Sequence, residues 1–384
     1  MKDFKVFWND ELTAEVKIET DRVQVKRYTT HPFKQIFPKD SMSRYTFGQI
    51  LAARCWEEKR DDLPQILKQL NLKEYNIYEV LLKTHGVSYN DSIWFEFEGE
   101  NLNSDQVLVK KDKSFYRHFD DSMKVDIDGT SEGAQSKYYS GGYWYKTDSC
   151  GGEAYSECLT SLLLESSNLK SSEYVVYEFG QVNHQNACRS KNFLSNGEEF
   201  ITLYRLFLNT TGRRLPEQIH KMDSMEEQIQ FVLHFVQETT GTDLTHYFAN
   251  IFALDCLILN EDRHFNNLGL IFNGESFREA PIFDNGKSLF VGNYSINHHL
   301  PIKENLKRVI SKPFFGTHEQ VYQYFKNDAE LKIDLQDFQR RLGESNLPDS
   351  LQKKVLLANL QEHQELWKRD EMQTKKKSPG KCGR

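Results

Sequence analysis

Residues 259–272, LNEDRHFNNLGLIF, and residues 280–290, APIFDNGKSLF, decide the fold class of this chain. The first stretch begins where an apolar segment ends, passes through a polar cluster and closes on a short apolar run. This pattern predicts a helix end, a loop and a strand. In the second stretch, the apolar residues 281–283 predict another strand that ends at Asp284.

Two carboxylates follow from this arrangement. Asp262 and Asp284 lie 22 residues apart and are joined by one predicted hairpin, so both can face one cleft. Phosphoryl transfer needs a carboxylate that accepts the proton of the attacking hydroxyl, and oxygen ligands that hold magnesium against the nucleotide phosphates. Asp262, Asn267 and Asp284 have the spacing that protein kinases use for this purpose. We therefore predict Asp262 as the catalytic base, and Asn267 and Asp284 as magnesium ligands.

His264 belongs to the same predicted catalytic loop, and its role stays open between two interpretations. The imidazole could contact a phosphate group, or it could brace the loop. Arg263 could likewise be an ion-pair partner within the scaffold.

The segment upstream has the order of elements expected of a kinase small lobe. Residues 124–128, KVDID, predict a strand, and a Gly-containing loop around Gly133 follows. Residues 136–146, SKYYSGGYWYK, predict a hairpin that ends at Lys146. A strand at 174–178, YVVYE, is predicted further on.

Lys146 would neutralise nucleotide phosphates, and a glutamate on the next helix would hold its ammonium group in place. Glu153 and Glu157 are the candidates. Glu157 is preferred, because Glu153 at the helix start could simply favour the helix dipole.

These motifs resemble those of a known family. Residues 130–137, TSEGAQSK, resemble the phosphate loop of HipA-like kinases, in which Ser or Thr, two residues, Gly-Ala-Gln and a Lys follow one another. Residues 262–267, DRHFNN, resemble the catalytic loop of HipA-like kinases and also that of phosphoinositide kinases. Residues 283–286, FDNG, stand where the family has its metal-binding Asp. The chain is most similar to the HipA-like and CtkA-like bacterial serine/threonine kinases, over about residues 123–330.

The resemblance implies a Ser/Thr protein kinase that uses ATP and magnesium. The nucleotide-binding residues that it implies are Thr130, Gly133, Ala134, Gln135, Lys146 and Glu157. Thr130, with Ser131 beside it, occupies the position where family members autophosphorylate. Glu132 departs from the family pattern by placing a charge near the phosphates, and Asn285 departs from it by replacing an aromatic anchor.

The expected fold class is α+β, with a two-lobed kinase-like core and an N-terminal α/β accessory region. The opening region alternates apolar and polar residues with period two, which predicts a small antiparallel sheet. We expect the accessory region at 1–118, a small lobe at 119–210, a large lobe at 211–370 and a disordered tail at 371–384. Ser224 and Glu227 predict a capping box at the start of a large-lobe helix.

Composition narrows the class of protein. The formal net charge of −7 argues against a polyanion-binding protein, so direct nucleic-acid binding is not expected. No apolar stretch reaches the roughly 20 residues of a membrane span. The six cysteines are scattered, which favours a reducing, cytoplasmic location; export without a signal peptide stays open.

The expected partner is a protein substrate with a Ser or Thr hydroxyl. HipA-like toxins often pair with an antitoxin, so an antitoxin-like partner is a further expectation from the resemblance. Alternative functions are a phosphoinositide-like lipid kinase, a pseudokinase that senses nucleotide, and a metal-dependent hydrolase that uses Asp262, His264 and Asp284.

Overall fold

The computed structural model describes residues 3–108 and 135–376, with the side chains of the second range described as far as residue 363. Within these residues the strands form three antiparallel sheets, and helices cover or connect them. The chain is therefore a mixed α/β protein, as the sequence predicts. Among the helices described, none combines the length and the apolar character needed to cross a lipid bilayer.

The first sheet comes from the N-terminal region and has the strand order β4-β3-β2-β1-β5. Its strands are β1 (Phe4–Trp8), β2 (Glu11–Ile18), β3 (Arg22–Arg27), β4 (Ser41–Ser43) and β5 (Ile93–Phe97), and the helices of this region are α1 (Arg44–Ala52), α2 (Leu63–Gln69), α3 (Ile77–Thr84) and α4 (Ser104–Val107). Alternate residues such as Phe4, Val6 and Val16 are buried in one core with Phe47 of α1. The predicted period-two alternation is thus the buried face of this sheet.

The second sheet has the order β6-β7-β9-β8 and packs against a helix. Its elements are β6 (Lys137–Ser140), β7 (Tyr143–Thr147), α5 (Glu153–Glu165), β8 (Tyr177–Val182) and β9 (Gln185–Lys191). The predicted hairpin is present, and it turns at Gly141 and Gly142, whose φ values are 55° and 82°. The strand predicted at 174–178 is displaced: β8 begins at Tyr177, because Tyr174 forms an isolated parallel bridge with Ile282 instead. The strand predicted at 124–128 lies outside the described residues.

Helix α5 begins directly after two glycines. The Asp148 carboxylate accepts hydrogen bonds from the backbone N–H groups of Gly152 (2.8 Å) and Ala154 (2.7 Å). Gly152 has a φ of 100°, and a Cβ there would lie 2.5 Å from the Gln352 side chain. This position therefore requires glycine, and it fixes the direction in which α5 leaves the sheet.

The third sheet has the order β10-β11-β12, with β10 (Glu199–Thr202), β11 (Gly269–Phe272) and β12 (Phe277–Glu279). The strand predicted after the polar loop 260–267 is present as β11. The strand predicted at 281–283 is wrong, because β12 ends at Glu279 and the next residues leave the sheet. Ile282 instead forms an isolated β-bridge with Tyr174. Tyr174 precedes β8, an edge strand of the second sheet, so the chain passes from the third sheet to that edge.

The remaining helices form the larger core. They are α6 (Leu203–Thr211), α7 (Leu215–Ile219), α8 (Met225–Thr240), α9 (Thr245–Ile258), α10 (Ile302–Leu306), α11 (His318–Phe325), α12 (Leu335–Glu344) and α13 (Leu351–Lys376). Helix α9 is buried along nearly its whole length, with Phe248, Ile251 and Phe252 in the main cluster. It ends at Ile258, and Leu259, with a φ of 56°, turns the chain into the polar loop. Helix α13 continues into the segment 371–384 that was predicted as a tail, and residues 377–384 lie outside the described residues.

The predicted capping box of α8 is present only in part. Ser224 Oγ accepts a hydrogen bond from the backbone N–H of Glu227 at 3.2 Å. The Glu227 carboxylate, however, accepts from the backbone N–H of Asp223 at 3.1 Å and not from that of Ser224. The side chain reaches one residue further back than the box requires.

A buried ionic group joins the N-terminal region to α6. Asp91 accepts hydrogen bonds from Arg54 (2.8 Å) and from Arg205 of α6 (2.9 Å), and all three side chains are nearly inaccessible to water. Because removing Asp91 would take from both buried arginines their shared carboxylate, this group holds the two parts of the chain together.

Candidate active site

Three charged side chains from distant parts of the chain meet where β7 approaches α5. The Lys146 ammonium nitrogen lies 2.9 Å from Glu157 Oε1 and 2.9 Å from Asp284 Oδ1. Burial alone would lower the pKa of Lys146, but Asp284 and Glu157 raise that pKa well above its usual value. The side chain at position 146 therefore stays a cation at physiological pH.

Neighbouring groups hold this cluster in one geometry. Tyr177 Oη accepts hydrogen bonds from Lys146 Nζ and from the backbone N–H of Asp284, both at 3.3 Å. The backbone N–H of Asn285 donates to Glu157 Oε2 at 2.9 Å. Both oxygens of Glu157 thus have donors, so the carboxylate is oriented before any ligand arrives.

Asp284 combines an unusual backbone with a strongly acidic carboxyl group. Its φ is 59°, a left-handed conformation that Asp tolerates better than most residues. Oδ2 lies 3.6 Å from Lys137 Nζ. Burial opposes ionisation, but Lys146 and then Lys137 lower the pKa of Asp284 far below its usual value. Position 284 therefore presents an ionised carboxylate.

The loop after α9 closes around the backbone carbonyl of Asp262. This oxygen accepts hydrogen bonds from the backbone N–H of His264 (2.8 Å) and from Asn267 Nδ2 (2.9 Å). Asn260 Oδ1 accepts from the backbone N–H of Asp262 at 2.9 Å. The bond from Asn267 uses its amide nitrogen, so its amide oxygen is the atom suited to a cation.

Side chains that can carry a positive charge lie near the Asp262 carboxylate, beyond hydrogen-bond distance. Lys287 Nζ lies at 3.7 Å and Lys312 Nζ at 3.9 Å. His264 Nε2 lies at 4.0 Å and adds charge only when it is protonated. The Asp262 side chain is 29% exposed, so it stays accessible to an incoming group.

A buried arginine braces this loop from beneath. The Arg263 guanidinium is inaccessible to water and forms two hydrogen bonds with Asp255, at 3.0 and 2.9 Å. It also donates to the Phe283 carbonyl oxygen at 2.7 Å and to Asn285 Oδ1 at 2.6 Å. One side chain thus ties α9, the 260–267 loop and the 283–285 segment together, which is the scaffold role considered for Arg263.

Most of the charged side chains described above line one cavity of about 620 Å³. Its polar lining includes Lys137, Lys146, Asp262, His264, Asn267 and Asp284, and its apolar lining includes Trp144, Val175, Phe193, Leu194, Phe200 and Phe283. The ammonium of Lys146 and the carboxylates of Asp262 and Asp284 therefore open onto a single space. An apolar wall beside a charged one suits a ligand with a ring at one end and anionic groups at the other.

Most of the residues predicted for the phosphate loop lie outside the described part of the chain. Thr130, Gly133 and Ala134 lie outside the described residues, as do Ser131 and Glu132. Gln135 lines the cavity, and its side-chain nitrogen donates to the Thr147 carbonyl oxygen at 2.7 Å.

Sequence reasoning missed several residues of this site. Tyr177 was not selected, because a tyrosine in a strand gives no local sign that its hydroxyl will reach a lysine. Asp255 could have been noticed as a carboxylate in an otherwise apolar helix, which calls for a buried partner. The sequence marks Asn285 only as the loss of an aromatic anchor, whereas in the structure its amide oxygen accepts a hydrogen bond from Arg263.

No protein-family model and no curated protein match this chain. Among solved structures, the chain is similar to the Helicobacter pylori proinflammatory kinase CtkA, at 16% identity and a TM-score of 0.44, over 64% of this chain and 92% of that one. It is also similar to HipA of Shewanella oneidensis MR-1, solved with HipB and operator DNA, at 9% identity and a TM-score of 0.48, over 93% and 94% of the two chains. Both proteins have names from the group of kinases that the sequence motifs resemble. Activity, cofactor and substrate are proposed below from the side chains of the cavity.

Proposed function

We propose that this chain is an ATP- and magnesium-dependent kinase that phosphorylates Ser or Thr hydroxyls of proteins. The observation that supports this most is the cluster of Lys146, Glu157 and Asp284, in which Lys146 and Asp284 line a cavity that Asp262 and Asn267 also line. A buried lysine held by a helix glutamate, next to an ionised aspartate, is the arrangement that kinases use to hold nucleotide phosphates and metal.

The residues present fit magnesium. Asp284 offers an ionised carboxylate and Asn267 an amide oxygen, and Mg²⁺ prefers hard oxygen ligands. When bound, magnesium neutralises charge on the phosphates. Lys146 now contacts Asp284 directly, so we propose that its ammonium turns to the phosphates when a nucleotide binds, while Glu157 keeps it in place.

The residues also fit a nucleoside triphosphate. Lys137 adds a second cation beside Lys146, and we propose the loop residues Thr130, Gly133, Ala134 and Gln135 as further phosphate contacts. The apolar lining around Val175 and Phe200 is suited to the adenine ring. In this proposal the second sheet and α5 belong to a small lobe at 119–210, the helices at 211–370 form a large lobe, and residues 1–118 are an accessory region.

In the transfer step, Asp262 would orient the acceptor hydroxyl and take its proton. A bond forms between the hydroxyl oxygen and the γ-phosphorus, the bond to the bridging oxygen breaks, and ADP leaves. Lys287 and Lys312 lie close enough to Asp262 to stabilise charge on the acceptor side. We propose His264 as a contact to the transferred group.

Incubation of the full chain with magnesium and labelled ATP, with protein acceptors and with the chain itself, tests this proposal. Asp262→Asn and Asp284→Asn should abolish transfer while thermal melting shows a folded protein. Asp349→Asn, at an exposed position outside the cavity, is the matched control and should keep full activity. Transfer that persists in both cavity variants would refute the assignment.

The same assay separates the related functions. Label in lipid vesicles but not in protein would indicate a lipid kinase. Stabilisation by magnesium-ATP without transfer would indicate a pseudokinase, with Glu132 as the first residue to exchange. Phosphosite mapping at Thr130 and Ser131 tests autophosphorylation.

A protein partner forms a further part of the proposal. The related HipA structure contains HipB and operator DNA, and we propose an antitoxin-like partner for this chain. Direct contact with DNA is not expected, given a formal net charge of −7. A gel shift of DNA by the purified chain alone, at moderate salt, would contradict that part.

A further inference from the structure

A second cluster of ligand-type side chains lies away from the cavity, where α9, α11 and α13 meet. Its members are Cys256 of α9, Glu319 of α11 and His363 of α13. One donor atom from each lies within 4.8 Å of the other two. None of the three lines the cavity described above.

The distances fit a small cation. Cys256 Sγ lies 3.2 Å from His363 Nε2, and His363 Nε2 lies 3.8 Å from Glu319 Oε2. A tetrahedral zinc ion with ordinary bond lengths separates its sulfur and nitrogen ligands by about 3.5 Å, and its nitrogen and oxygen ligands by about 3.3 Å. The two distances from His363 thus lie within about half an ångström of those in a zinc site, and the Cys256 and Glu319 donor atoms, which lie within 4.8 Å of each other, would approach further on binding.

The hydrogen bond on the far side of the histidine ring suits metal binding. His363 Nδ1 lies 2.9 Å from the backbone oxygen of Asn359, which can only accept. In the neutral tautomer that makes this hydrogen bond, Nδ1 carries the proton, and Nε2, the ring nitrogen near Cys256 and Glu319, has the lone pair for a metal. Metal-binding histidines commonly have this kind of hydrogen bond on the far nitrogen.

The surroundings add two further observations. His318, next to Glu319 in the chain, has a buried Nε2 that makes no hydrogen bond with any described residue. The Glu319 side chain is 48% exposed, whereas Cys256 is buried, so a cation could enter from the solvent side.

We propose that Cys256, His363 and Glu319 bind a zinc-type divalent cation that fastens α9 to α11 and α13. On binding, the S–H bond of Cys256 breaks, its proton passes to solvent, and the thiolate ligates the ion; no oxidation is involved. The combination of thiolate, imidazole and carboxylate favours zinc over magnesium or calcium.

The bound ion would stabilise the packing of the three helices and would not take part in the proposed phosphoryl transfer. Asn359 Nδ2 donates to the carbonyl oxygens of Cys256 and Leu257, both at 2.8 Å, so α13 already holds the last turn of α9. Cys256 adjoins Asp255, the residue that holds Arg263 under the catalytic loop. A cation on Cys256 would thus fix the end of the helix from which that loop departs.

Cobalt is a spectroscopic substitute for zinc that tests the proposal without measuring activity. The full chain, stripped with a chelator and titrated with Co²⁺, should bind about one ion per chain. It should show an ultraviolet sulfur-to-cobalt charge-transfer band and the intense visible bands of a tetrahedral site. Zinc should displace the cobalt and raise the melting temperature of the chain.

Three variants make the test specific. Cys256→Ser should remove the charge-transfer band, whereas Cys55→Ser, at another buried free thiol, should keep it. Glu319→Gln lies at an accessible position where misfolding is not expected, and it should weaken cobalt binding by at least about tenfold. A chain without the band, or a band that survives in Cys256→Ser, would overturn the proposal.

Discussion

The ammonium nitrogen of Lys146 lies 2.9 Å from Oδ1 of Asp284, although 138 positions separate the two residues in the chain. Glu157 Oε1 lies at the same distance, 2.9 Å, from this nitrogen. The lysine thereby compensates two carboxylates at once, and its removal would take from Glu157 its salt-bridge partner and leave Asp284 only the more distant Lys137.

Lys146→Met should therefore reduce phosphoryl transfer by about 10²- to 10³-fold, the cost of losing one preorganised charge in a transition-state site. It should also destabilise the fold, because Glu157 and Asp284 lose their common partner. Steady-state kinetics and thermal melting measure the two effects separately. Lys221→Met, at an exposed position on the surface, is the control and should change neither.

Glu157→Gln provides a milder check of the same cluster. The amide keeps the shape of the side chain and can still accept from the Asn285 backbone, but it no longer attracts the ammonium electrostatically. Activity should fall while the melting temperature falls less than in Lys146→Met. Equal activity in Glu157→Gln and the parent chain would contradict a role for this pair.

The buried pair of Arg263 and Asp255 yields a prediction about stability. Asp255→Asn removes one charge from a pair whose side chains are both inaccessible, and this should lower the free energy of unfolding by about 3–5 kcal/mol. Urea unfolding measures the change. Arg340→Ala, which breaks an exposed ion pair on α12, should have little effect. A similar fall in the free energy of unfolding in both variants would show that the buried pair stabilises the fold no more than the exposed pair does.

The sequence predicted most of the charged and polar side chains of the cavity, because they follow one another at short intervals after a predicted helix or strand. Lys146, Glu157, Asp262, Asn267 and Asp284 were all selected from such intervals. The sequence indicated an ion-pair role for Arg263 but not its partners, because Asp255, Phe283 and Asn285 are brought to it only by the packing of separate segments. The strand at 281–283 failed for a related reason: an apolar triplet predicts burial, and Ile282 is buried, but its pairing partner is Tyr174 and not β11.

The ionic group at Asp91 should make stability depend on pH in the acid range. Burial alone would raise the pKa of Asp91, but Arg54 and Arg205 lower it from 3.8 to about 2. The carboxyl is therefore more acidic in the folded chain than in the unfolded one. Its contribution is fully present above the unfolded pKa, and it is lost as the pH falls through the folded pKa.

Asp91→Asn tests this contribution. The difference in unfolding free energy between the parent chain and the variant should be about 3–5 kcal/mol at neutral pH, and it should shrink as the pH falls from about 4 towards about 2. Urea unfolding at pH values on either side of this window measures it. A difference in unfolding free energy that stays constant over this pH range would mean that Arg54 and Arg205 do not lower the pKa of Asp91.

Asn285 is expected to affect both the stability of the fold and the proposed transfer activity. Its Oδ1 accepts from Arg263 at 2.6 Å, while the preceding residue holds the carboxylate proposed as a magnesium ligand. Asn285→Ala leaves one guanidinium N–H buried without an acceptor, which should cost about 1–3 kcal/mol of stability. Because the side chain of Asp284 is positioned by this segment, the rate of transfer should fall more than the affinity for ATP.

Separate measurement of kcat and KM for Asn285→Ala decides whether Asn285 affects the transfer step. A fall in kcat at nearly constant KM is expected if Asn285 positions Asp284 for the transfer step, whereas a purely structural role would lower the melting temperature and leave the kinetics of the folded enzyme unchanged. Asn346→Ala, at an exposed position, controls for the substitution itself. In the double variant with Arg263→Met, the second change should add little, because both side chains belong to one hydrogen-bonded group and their effects are not additive.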